Sequence, residues 1–90
     1  MFRVEADLKT RLDTLDQQLN KKYADVIAQS EKDRVSLVRE AQRKWIKYRD
    51  EGARLYVSLF PEAEKERRRL QFLGDVTATR IEVPTEQWEL

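Results

Sequence analysis

Ninety residues with 18 lysines and arginines against 17 aspartates and glutamates, and with no histidine or cysteine, set narrow bounds. The missing His and Cys remove the usual ligands of zinc, copper, haem iron and iron–sulfur clusters and rule out a disulfide, so no metal and no cofactor is expected. A net charge of +1 gives no field to steer the chain toward nucleic acid, and no run of 18 apolar residues offers a membrane span.

The chain opens Met1-Phe2-Arg3-Val4-Glu5, with charges at its third and fifth positions, so no uncleaved signal peptide is expected. Val4, Leu8, Leu12, Leu15, Leu19, Tyr23 and Val26 then follow at steps of three and four, one apolar face of an α-helix running from about residue 3 to 29. Lys9, Arg11, Asp13, Gln17, Lys21 and Lys22 form its wet side. A second stripe holds Val38, Ala41, Trp45, Gly52, Tyr56 and Leu59, widened by Val35, Leu37, Ile46, Tyr48 and Leu55. Its phase sits roughly a quarter-turn from the first, counting about 100° per residue, so a break is predicted near residues 29–33. Ser30, with Asp33 three residues on, reads as an N-cap there.

Pro61 pushes Phe60 out of the helical region and suits the first position of a new helix. Glu62, Glu64 and Glu66 suit its positive N-terminus. Leu70, Leu73, Thr77 and Ile81 form its inner line, Gly74 allows another helix to approach closely, and Pro84 ends it around Val83. The tail from Thr85 to Leu90 reads as extended. With only two glycines and two prolines among abundant helix formers, the fold class expected is all-α: one domain, a small three-helix bundle with long antiparallel helices.

Gln42 and Arg49 share the apolar side of the second helix with Val38, Trp45 and Tyr56. A guanidinium turned inward needs partners for five donors. Asp16 and Asn20 flank the line of the first helix and Thr77 lies on that of the third, while Asp50 adjoins Arg49 but points elsewhere. Two readings fit these residues. One is a hydrogen-bonded network that fixes helix register; the other is a site for a ligand or partner. Trp45 and Tyr48 read as core anchors packed around it, with pocket lining as the alternative.

These same blocks carry a family resemblance. Leu15-Asp16-Gln17-Gln18-Leu19-Asn20 with Tyr23, then Leu37-Val38-Arg39-Glu40-Ala41-Gln42-Arg43-Lys44-Trp45-Ile46-Lys47-Tyr48-Arg49-Asp50, and later Thr77 with Arg80, resemble the LprI-like lysozyme-inhibitor N-terminal domain over about residues 8 to 81. The resemblance implies a helical fold in a bacterial protein that is periplasmic or secreted, with lysozyme inhibition in a few members only. It adds Arg80 to the candidate network of Asp16, Asn20, Gln42, Trp45, Tyr48, Arg49 and Thr77. Cysteines usual in that family fall near Leu8, Ala53 and Phe72, where apolar packing would replace the cross-link. Their absence weakens the inference of export and leaves a cytoplasmic location open.

An inhibitor of the common, basic lysozymes profits from an acidic surface or a residue that plugs the carboxylate cleft. The basic face of the second helix (Arg39, Arg43, Lys47, Arg54) argues the other way. Arg67, Arg68 and Arg69 are offset by Glu62, Glu64 and Glu66, so no nucleic-acid stripe forms. Ser30, Ser36 and Ser58 have no base to activate them, and no enzyme is indicated. Phe2, Phe72, Val76, Val83, Trp88 and Leu90 lie off the inner lines. They mark an interface, with homodimerisation by exchange of the third helix as one form, or else the ends fold back on the bundle. The sequence thus reads as a non-enzymatic protein-interaction module of the cell envelope, with a lysozyme-type enzyme as one partner. A self-assembling or structural adaptor is the alternative.

Overall fold

A computed structural model describes residues 2–89, with side chains from Val4 onward. Three helices account for nearly all of it: α1 (Phe2–Gln29), α2 (Lys32–Val57) and α3 (Glu62–Glu82), followed by a short 3-10 turn, Thr85–Gln87. The all-α bundle expected from periodicity is present. The break after residue 29 is also present, but Glu31 caps α2, without a side-chain hydrogen bond. Ser30 instead donates its hydroxyl to the Val26 carbonyl at 2.7 Å, which ends α1 rather than starting α2. Pro61 stands one residue ahead of α3 as its cap. Lys65 donates to the carbonyls of Val57 and Phe60 at 2.9 and 2.8 Å, satisfying acceptors that the end of α2 leaves over.

The helices run up, down and up. Val4 lies beside Ala63 and Arg67, Arg11 pairs with Asp75 at 3.0 Å, Leu15 reaches Gly74, and Tyr23 lies 6.5 Å from Trp88. These successive rungs make α1 and α3 parallel, with α2 antiparallel to both. α3 packs against each of the others, whereas α1 and α2 barely touch. Extents of 47 × 23 × 14 Å describe a slab with α3 in the middle. Three helices at the usual spacing of about 8–10 Å reach that width only when laid side by side.

This layout explains which apolar positions are covered. Leu19, Val26, Val38 and Trp88 form the main core, with Tyr23, Ile27, Trp45, Ile81 and Val83 packed against it; Ala53, Leu70 and Leu73 are buried toward the other end. The stripe on α2 is narrower than its sequence suggests. Leu37, Ile46, Tyr48, Leu55 and Leu59 are exposed, because only α3 covers α2 and a single neighbour hides a single flank. Val4 is exposed as well. Of the residues placed off the inner lines, Phe72, Val76 and Val83 are half-buried and Trp88 is buried. The ends therefore fold back here, while Leu90 and the Phe2 side chain lie outside the described residues. Phe72 stacks on Tyr56 with ring centroids 5.3 Å apart, and with buried Ala53 and half-buried Leu8 it fills the positions at which the resemblance places cysteines.

The two glycines predict opposite responses. A Cβ on Gly74 would fall 2.7 Å from Arg11 Nη1, the free end of an exposed side chain that can swing aside. Gly74→Ala then recovers helix propensity of roughly 0.5–1 kcal/mol while losing a surface ion pair of little worth. A Cβ on Gly52 would meet Phe72 Cζ at 3.0 Å, and that ring is held by Tyr56. Chemical denaturation should show Gly74→Ala neutral or stabilising and Gly52→Ala destabilising; equal shifts would refute this packing.

Candidate functional site

Gln42, Trp45 and Arg49 follow one another at steps of three and four on α2, and Thr77 and Arg80 lie three apart on α3, so each set projects from one face. The two faces meet at the centre of the slab. Arg49 donates from Nη1 to Asp16 Oδ1 at 3.4 Å and to Thr77 Oγ1 at 3.3 Å, and from Nε to Asp50 Oδ1 at 3.2 Å. Arg80 donates from Nε to Gln42 Oε1 and from Nη2 to the Trp88 carbonyl, both at 3.2 Å. Thr77 and Gln42 are buried, and Arg80 is only 8% exposed.

The tryptophans complete the arrangement. The Trp45 ring carries the Arg49 guanidinium 5.3 Å and the Arg80 guanidinium 5.7 Å from its centroid, and Arg80 also sits 4.1 Å from the centroid of Trp88. Arg80 thus lies against two indole faces whose quadrupoles attract a cation. No carboxylate comes within 4 Å of it among the described residues. Burial pushes the Arg80 guanidinium below its ordinary value, yet arginine titrates so high that it keeps its charge at neutral pH. Arg49 is different: it lies at the rim with two aspartates.

Six of the eight candidate residues meet here: Asp16, Gln42, Trp45, Arg49, Thr77 and Arg80. Asn20 and Tyr48 do not. Asn20 is exposed; because α1 and α2 barely touch, only a side chain as long as Arg49 spans the gap, and it reaches Asp16 instead. Tyr48 is 70% exposed and lines an open groove of about 380 Å³ with Trp45, Val76, Thr79 and Val83. Asp50, expected to point away, bonds Arg49.

Trp88 is the member that sequence reasoning missed. It is fully buried, its indole N–H donates to the Val83 carbonyl at 3.0 Å, and its own carbonyl receives Arg80. The tail expected to be extended instead turns at Pro84 through a 3-10 turn and carries this ring under Arg80. The available signal was a lone tryptophan four residues after a helix-ending proline.

Chemically, this cluster holds two guanidinium cations, a carboxamide, a hydroxyl, two indoles and, at its rim, the carboxylates of Asp16 and Asp50, and no fully buried polar side-chain atom in it lacks a hydrogen-bond partner. It contains no nucleophile beside a base and, among the described residues, no group of side chains suited to hold a metal. What it can do is fix the register of three helices and the tail.

A second polar feature lies at the end where α1 turns into α2. Glu31, Arg34, Glu86 and Glu89 line an open cleft of about 530 Å³, and Arg34 pairs with Glu89 across it. A family model described as lysozyme inhibitor LprI matches residues 3–83. No curated protein and no solved structure matches the chain.

Proposed function

The chain belongs to the LprI lysozyme-inhibitor family, and on that footing we propose that it is a non-enzymatic protein-interaction module of the bacterial cell envelope. The observation that supports this is the network around Arg80 and Arg49: its bonds tie α2, α3 and the tail to one another and hold no nucleophile beside a base, leaving recognition to the outer surfaces. No helix of the described residues is long and apolar enough to cross a membrane. Cross-linking in the native envelope, recovery of the partner, and reconstitution from purified components should yield a complex of defined stoichiometry. If no recovered candidate reconstitutes, the reading fails.

Inhibition of a lysozyme is the second reading, favoured by the family match. Opposite charges steer and orient a complex, so a basic enzyme would meet the acidic turn end rather than the basic flank of α2. The expected result is slowed lysis of a cell-wall suspension at micromolar concentrations of the domain. Glu31→Lys with Glu86→Lys should weaken that effect at least about tenfold, and Arg43→Glu should leave or improve it. An unchanged rate with every lysozyme tried would exclude inhibition and leave the interaction module to be judged by reconstitution.

A further inference from the structure

The outer face of α2 carries the exposed large hydrophobics Leu37, Tyr48 and Leu55, and its residues are arranged symmetrically. Counting about 100° per residue, Leu37, Ala41, Lys44, Tyr48, Glu51 and Leu55 fall on one stripe of α2 about 27 Å long, which Leu59 extends from the turn just past the helix end at Val57. Tyr48, Leu55 and Leu59 along it are 70%, 73% and 76% exposed. Tyr48 stands at the centre: Ala41 and Leu55 lie seven residues either side of it, and Leu37 and Leu59 eleven. The charges on the stripe mirror each other with opposite sign, Lys44 four residues before Tyr48 and Glu51 three after.

We propose that the domain pairs with a second copy of itself through this face, the two α2 helices antiparallel about a twofold axis at Tyr48. In that arrangement Lys44 meets the partner's Glu51, a pair that occurs twice, while Leu37 and Ala41 meet the partner's Leu59 and Leu55. A parallel arrangement would set Lys44 on Lys44 and Glu51 on Glu51, which is why the pattern selects the antiparallel one. Lys47, next to the axis, faces its like, and its long stem lets the ammonium reach water. Within one copy Lys44 pairs with Glu40 at 3.1 Å, while Glu51 has no ion-pair partner among the described residues, so the pairing gives Glu51 a partner that the single copy lacks. Helix α3 stays in its own bundle, in contrast to a dimer formed by exchanging it.

Sedimentation over a concentration series tests this, with circular dichroism to confirm that each variant folds. The wild type should pass from monomer to dimer as concentration rises. Leu55→Glu, at an exposed position, should stay folded and weaken association by at least about a hundredfold, whereas Lys44→Glu and Glu51→Lys should each weaken it by about tenfold or more. The double variant Lys44→Glu/Glu51→Lys should return to within about threefold of the wild type. A wild type that stays monomeric up to millimolar concentration, a dimer that survives Leu55→Glu, or a double variant no better than the singles overturns the proposal. None of these outcomes depends on whether a lysozyme is the target.

Discussion

Trp88→Ala is expected to lower the unfolding free energy by about 3–5 kcal/mol, the largest loss from any single truncation in the chain. The indole is wholly buried among Tyr23, Val26, Val38 and the helix-ending Val83, and its removal leaves a cavity at the point where all three helices and the tail converge. Two polar consequences add to the lost packing. The Val83 carbonyl loses its donor, and Arg80 loses one of its two aromatic neighbours. For a domain of this size each kcal/mol moves the melting temperature by roughly 4–8 °C, so a fall of more than about 12 °C is the expected calorimetric result. Trp88→Phe keeps a ring but not the N–H, and should cost about 1–3 kcal/mol. Truncation after Val83 should be at least as damaging as Trp88→Ala. A truncated chain that melts like the full one would show that the tail is not part of the core.

Arg80 supplies the second large effect. Arg80→Ala removes the donors to Gln42 and to the Trp88 carbonyl and opens a gap beside two indoles, for a loss of about 2–4 kcal/mol. Arg80→Lys should be nearly as poor. One strongly hydrated ammonium cannot reproduce two directed bonds from a planar fork or lie flat on both rings. Arg80→Met should do better than either, since it keeps the volume and removes a buried cation that has no carboxylate beside it. Pairing it with Gln42→Leu should recover most of the remainder, as when a buried ionic cluster is replaced by packed hydrophobes. Urea titration of the four variants checks the order, and a lysine variant as stable as the wild type would refute this account.

The pH dependence follows with a definite sign. Arg80 binds its proton less tightly folded than unfolded, so its contribution to stability rises with pH, but only far above neutrality. Glu66 is held below its ordinary value by the hydrogen bond from Arg69. Its contribution is present above the ordinary carboxylate range and is lost as pH falls through the depressed value. That contribution is small because the pair is exposed and screened. With no histidine in the chain, neither group gives a slope near neutral pH.

Much of this was readable from residue order because helix periodicity reports directly on burial. The steps of three and four from Leu8 to Val26, the quarter-turn offset at Val38 and the stop at Pro61 all correspond to what forms. So does the inward turn of Gln42 and Arg49, since a polar residue on an apolar face has few other places to go. The failures share one cause. Periodicity tells which side of a helix is apolar but not how many neighbours will cover it, so the stripe on α2 was read as wider than one flanking helix can hide. Tyr48 was assigned to the interior for that reason. Asn20 was misplaced because proximity along α1 says nothing about the reach of α2. Trp88 has no period to belong to: a single aromatic after a proline finds its place only through tertiary contacts.

The central position of α3 also bears on how the chain acquires its structure. The tightest connection joins α1 to α2, yet those neighbours give each other almost no purchase, so a nascent chain that has emerged as far as residue 60 has no hairpin to keep. Helix α1 must wait for a partner some sixty positions downstream. Such a separation raises contact order above that of an ordinary up-and-down hairpin and slows the search. Packing of α1 and of α2 alike therefore awaits α3, in the last third of the polypeptide.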